Sequence, residues 1–187
     1  MEIVRAAFKE WAAVVEMLGS GHQILLVRNF QPKPKKFLLH PTYGYAAGGQ
    51  PLFNSRFKPN CQQFAKDAAN TVKSLAQTKG IIAMNYWATV DAVIPVSRQT
   101  DWEALSPFFV WTTQHVQQYV KNAACIWLLR TNKLPNPVIQ PHLGGGAITY
   151  YELTTPVSVT EEPVLTQNEF AKRKDQILSI VGHLPIS

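Results

Sequence analysis

The sequence predicts a single α+β domain over residues 1–187, with a mixed β-sheet flanked by helices, and three observations lead there. Apolar residues make up 46% of the chain and charged ones 16%, against roughly 25% charged in typical soluble domains. Such a chain has the means to bury a sizeable core and lacks the signature of disorder. Two short apolar runs closed by arginine, Ile24-Leu25-Leu26-Val27-Arg28 and Ile126-Trp127-Leu128-Leu129-Arg130, read as buried strands. Around them lie segments with helical spacing, and no change of composition marks a domain boundary.

The elements follow in order. Val4, Phe8, Ala12, Val15 and Leu18 recur at helical spacing and predict an amphipathic first helix, ended by Gly19-Ser20-Gly21. Ile24 to Val27 is a strand. Pro32 and Pro34 break regular structure, so Lys33, Lys35 and Lys36 sit on or beside an irregular connection. Phe37-Leu38-Leu39 is a short strand running into His40-Pro41-Thr42-Tyr43, and the stretch from Gly44 to Gln50 reads as loop. Gln62 to Gln77 predicts a helix with Phe64, Ala68, Val72 and Leu75 on one side and Gly80 after it. Ile81 to Val96 reads as a strand or hairpin. Thr100 or Asp101 caps a helix, and Val110 to Val120 continues the helical pattern beyond Pro107. Cys125 to Leu129 is another strand, and Pro135, Pro137 and Pro141 give a stiff, extended segment before Gly144-Gly145-Gly146. Ile148 to Leu153 is the last strand, and Asn168 to Val181 a closing helix with Phe170, Ile177 and Val181 apolar.

Charge is distributed unevenly. Between Arg28 and Lys73 eight cations face one acid, Asp67, so the stretch carries +7 where the whole chain carries +6. Phe30, Phe37, Tyr43, Tyr45, Phe53, Phe57 and Phe64 are interleaved with these cations. Cations contact phosphates and rings stack on bases, so nucleic acid is the first partner to consider. Phe37 and Phe64 fall in apolar periodic runs and belong to the core, whereas Tyr43, Tyr45, Phe53 and Phe57 lie in loop-like sequence and suit stacking. No run approaches the roughly 20 apolar residues that span a bilayer, and Met1 to Arg5 shows no export signal, so the expected location is the cytoplasm, away from any membrane.

Motifs for chemistry are weak. Cys61 and Cys125 have no companion at metal spacing, and the five histidines are scattered, so neither a metal nor a cofactor is expected. The triple glycine lacks the lysine and spacing of a phosphate-binding loop. The best catalytic candidates are Glu10 and His40, the latter presented by the rigid Pro41-Thr42 turn. Arg28 and Arg130, if their strands run parallel as neighbours, emerge at one sheet end and suit a phosphate; otherwise each pairs with an acid such as Glu10 or Asp91.

A series of short motifs spans nearly the whole chain. They are Ala7-Phe8-Lys9-Glu10-Trp11, Gln23-Ile24-Leu25-Leu26-Val27-Arg28, Phe37-Leu38-Leu39-His40-Pro41-Thr42-Tyr43, Tyr86-Trp87-Ala88, Val110-Trp111-Thr112 and Trp127-Leu128-Leu129-Arg130-Thr131-Asn132-Lys133-Leu134-Pro135. Gly144-Gly145 and Val164-Leu165-Thr166 up to Phe170 follow. In this order they resemble an uncharacterised bacterial family, common in cyanobacteria, known as domain of unknown function 1802. The resemblance implies a stand-alone soluble bacterial domain and brings no activity. The chain departs from the family in two places: Asn29-Phe30-Gln31 replaces a usual Lys-Gly-Gly run, and Gly44-Tyr45-Ala46 replaces Glu-His-Gln. If those family residues form an active site, this copy lacks it, which favours a binding or structural member.

Three function classes follow. The first is a non-catalytic nucleic-acid-binding module using residues 28–73, with Arg28, Lys33, Lys35, Lys36, Tyr43, Tyr45, Arg56, Phe57, Lys58 and Arg130 in contact. The second is a metal-dependent nuclease or other phosphate-ester hydrolase that gathers Glu10, Arg28, His40 and Arg130 in one pocket. The third is a structural subunit of a larger assembly or homo-oligomer, suggested by low charge and five tryptophans.

Overall fold

The computed structural model describes residues 2–43, 56–120, 124–142 and 150–182. It is an α+β fold built on one mixed six-stranded sheet, order β2-β5-β4-β3-β1-β6. The strands are β1 (Glu2–Trp11), β2 (Leu25–Arg28), β3 (Lys36–Thr42), β4 (Ile81–Val96), β5 (Ala124–Pro141) and β6 (Tyr150–Val159). The helices are α1 (Ala12–Gly19), α2 (Gln62–Lys79), α3 (Trp102–Leu105), α4 (Thr113–Tyr119) and α5 (Gln167–Val181), with short 3-10 turns at Pro59–Cys61 and Ser106–Phe108. β1 and β3 run parallel, and the other pairings are antiparallel.

The largest correction concerns Glu2–Trp11, which form a strand rather than the start of a helix. Phe8 belongs to the main core and Val4 to a second cluster with Ala7, Leu38, Met84, Trp87, Leu153 and Val159. The spacing of four therefore joins residues of two separate cores. A strand hydrogen-bonded on both edges and covered on both faces shows no clean alternation, and the register shift between Val4 and Ala6 blurs it further. α2 forms as expected, and Gly80 ends it with φ 65°, a left-handed conformation that glycine adopts without strain. Its buried stripe is Ala65, Ala69 and Ala76, and Phe64 is 40% exposed, not core. Three small residues on one stripe let the helix approach closely, and a phenylalanine there would hold it off. Asp101 caps α3 by accepting from the Ala104 N–H at 2.9 Å, and Thr166 and Glu169 form a reciprocal cap on α5.

The two echoing runs lie side by side. Leu25 pairs with Leu128, Leu26 with Trp127, Val27 with Ile126 and Arg28 with Cys125. The sheet is strongly rolled. β5 and β6 lie four positions apart, about 19 Å across a flat sheet, yet the Trp127 and Tyr150 rings stack with centroids 6.2 Å apart. Phe8 and Phe37 fill the space between, at 5.5 and 6.5 Å from Trp127. This curvature places the ends of β1 and β2 against each other.

Candidate nucleic-acid interface

β1 and β2 are also four positions apart in the sheet, but rolling brings Arg28 into an ion pair with Glu10. The two side chains are only 12% and 3% exposed. Glu10 Oε1 accepts from the Trp11 N–H at 2.7 Å, and Arg28 Nη1 donates to the Val27 carbonyl at 2.6 Å. The guanidinium lies 5.3 Å from the Phe8 ring centroid. Burial draws the Arg28 pKa below its ordinary value, while nearby Tyr119, Tyr150 and Cys125 act in the opposite direction. Burial also raises the pKa of the Tyr150 hydroxyl, which is enclosed and has no hydrogen-bond partner among the described residues.

Arg56 approaches the same end of β1. Its guanidinium lies over the Trp11 ring at 5.2 Å, and its carbonyl accepts from the Thr112 N–H at 2.8 Å, where α4 begins. At the other end of α4, the Tyr119 hydroxyl donates to Asn29 Oδ1 at 3.2 Å, beside Arg28. His115 and Tyr119 are four residues apart and share a face of the helix. Burial and the charge of Arg56 lower the His115 pKa. Arg56 thus lies over a half-buried Trp11 beside His115, and Arg28 lies within electrostatic reach of Tyr119, one helical turn further along α4.

The remaining candidates are placed as follows. Lys33 and Lys35 are exposed on the β2–β3 connection, and Lys36 pairs with Glu2 at 2.6 Å. Phe30, half-buried on that connection, packs edge-on against Trp127 at 5.4 Å and accepts from Trp127 Nε1 at 3.2 Å. Tyr43 is half-buried, and its hydroxyl meets His142 Nε2 at 3.1 Å. Tyr45, Phe53 and the triple glycine lie outside the described residues.

Three assignments need correction. Phe57 cannot stack on a base: it is fully buried, bridged to Trp111, with its ring 5.4 Å from Trp11. Lys58 is a structural group, since its ammonium donates to the Ser106 and Phe109 carbonyls at 2.5 and 2.7 Å. Arg130 is at the far end from Arg28 because β2 and β5 are antiparallel; it bonds Gln167 at 2.7 Å and covers Phe170 at 4.3 Å.

Glu10 and His40 do not share a pocket. Glu10 pairs in register with Pro41, and His40 with Lys9, so the two side chains project from opposite faces. His40 Nδ1 is 2.7 Å from the Tyr151 hydroxyl, and Lys9 lies over that ring at 5.9 Å. Of the four groups of the hydrolase reading only Glu10 and Arg28 meet, while His40 and Arg130 lie elsewhere. Among the described residues no group of three or more His, Cys, Asp or Glu side chains could hold a metal ion, and no helix is long and apolar enough to cross a membrane.

His40 supplies a pH prediction. Its pKa is pushed down to about 4 by burial, with the charges of Lys9 and His142 acting the same way. An unfolded histidine titrates near ~6.5, so the unfolded chain takes up the proton first. Stability is full above that value and is expected to fall by about 3 kcal/mol as pH drops to about 4. Urea midpoints measured across this window should flatten in His40→Gln; identical profiles would refute the assignment.

Sequence reasoning missed Trp11, His115, Tyr119 and Tyr150. The four-residue spacing of His115 and Tyr119 behind the Thr112 cap was a readable signal for the helix pair; the other two depend on the rolling of the sheet. No curated protein matches the chain significantly. Among solved structures, an ASCH protein from Zymomonas mobilis is similar at 15% identity, covering 94% of this chain and 94% of that chain with a TM-score of 0.43. Two single-residue variants of it give 13% identity, 92% and 94% coverage and a TM-score of 0.47, and 14% identity, 91% and 96% coverage and a TM-score of 0.45. The family model described as Domain of unknown function (DUF1802) matches residues 7–176, and the chain belongs to that family.

Proposed function

We propose that the chain is a cytoplasmic, non-catalytic nucleic-acid-binding module, with cations of the 28–73 segment on phosphates and half-exposed rings, Phe30, Tyr43 and Trp11, beside bases. Uncompensated charge carries this reading. All twelve acidic side chains of the sequence fall among the described residues. The ion pairs there are Arg28–Glu10, Lys36–Glu2 and Lys174–Asp91, so no carboxylate side chain pairs with Arg56, Lys33 or Lys35. An arginine half-buried over a ring, and two exposed lysines on the β2–β3 connection, suit a polyanion.

The test is fluorescence anisotropy with single- and double-stranded DNA and RNA at two salt concentrations. Replacing Lys33 and Lys35 together by alanine is expected to weaken binding and to reduce the slope of log affinity on log salt by about 1.4 for a single strand, two contacts at ~0.7 each. No binding at low salt would overturn the proposal.

A further inference from the structure

Resting on that reading, we propose that the site recognises a terminal phosphate monoester of a nucleic-acid strand, gripped between Arg28 and Arg56, with Glu10 as a positioning residue for both. Glu10 holds Arg28 directly through Oε2 and, through Oε1, the backbone of Trp11, whose ring carries Arg56. Arg56 lies within electrostatic reach of His115 and Arg28 within that of Tyr119, two residues about 6 Å apart along the axis of α4. Glu10 faces Arg28, and among the described residues no carboxylate side chain pairs with Arg56. An anion supplies the missing charge.

Enclosure points to a chain end rather than an internal phosphate. With 12% of the Arg28 side chain and 3% of Glu10 exposed, a small projecting group can reach the guanidinium edge, whereas an internal diester is hemmed by a sugar on each side. A terminal monoester is attached through one oxygen, leaves three for hydrogen bonding and carries close to two charges at neutral pH. The planar fork of arginine matches those oxygens.

The experiment compares short single strands of one sequence bearing a 5′-phosphate, a 3′-phosphate or hydroxyls at both ends. One phosphorylated end is expected to bind about tenfold tighter than the hydroxyl-ended strand, and which end does so identifies the polarity. Arg56→Gln should erase that difference. Arg56→Lys, which keeps the charge, should reduce it at least about threefold because a single ammonium cannot make the forked contact. Equal affinity for all three strands would overturn end recognition and leave the binding module standing. A phosphate preference unchanged in both variants would overturn the assignment to this site. Failure of every strand to bind would overturn both proposals.

Discussion

Arg28→Ala is expected to cost about 3–5 kcal/mol of folding stability, the penalty for leaving a buried charge without its partner. Glu10, 4% exposed, would keep the hydrogen bond from the Trp11 N–H and lose the guanidinium. In a chain of this size that corresponds to a fall in Tm of about 10 °C. The sign of the pH dependence follows from the same charge. An unpaired buried carboxylate has a raised pKa, so the variant recovers stability as pH falls and Glu10 takes up a proton. Thermal unfolding should therefore show a smaller defect at mildly acidic than at mildly alkaline pH. The double replacement Arg28→Met with Glu10→Leu removes both charges and should restore most of the loss. A defect under about 1 kcal/mol, with no pH dependence, would show that the pair is not buried as described.

Trp127→Ala should be comparably severe, about 3–5 kcal/mol for a fully buried ring. Trp127 is 0% exposed and lies against Phe8, Phe30, Phe37 and Tyr150. It is also the clasp of the β2–β3 connection, because its indole N–H donates to the Phe30 carbonyl. Trp127→Phe keeps much of the volume and loses that donor. It should unfold at an intermediate denaturant concentration, and it should weaken nucleic-acid binding by loosening the segment that carries Lys33 and Lys35. If the phenylalanine variant binds as the parent does while being less stable, the clasp has no part in recognition.

The fold was legible wherever local pattern and burial agree. α5 shows this: Phe170, Ile177 and Val181 were the expected apolar face and are its buried residues. β2 and the start of β5 were legible because both are continuous apolar runs. β1 was not, because its spacing of four arises from two cores on opposite faces of one strand. The pairing of Arg28 with Glu10 was named as an alternative, but nothing local distinguishes it from a partnership with Arg130; the antiparallel register of β2 and β5 decides between them. Phe57 and Lys58 look like loop residues in sequence, and only their long-range partners, Trp111, Ser106 and Phe109, make them structural. Arg56 was identified for its charge, yet its placement over Trp11 depends on contacts 45 residues away in sequence.

The position of β1 also has a kinetic consequence. Its two neighbours are β3, nearby in sequence, and β6, where Glu2 lies opposite Val159 and Phe8 opposite Tyr150. During synthesis the first strand must keep an unpaired edge until residues 150–159 leave the ribosome, with the loop-closure entropy of well over a hundred residues opposing the final pairing. The rolled core and the Glu10–Arg28 end of β1 therefore reach their final form late, and the nascent chain exposes a hydrophobic strand edge until β6 has been made.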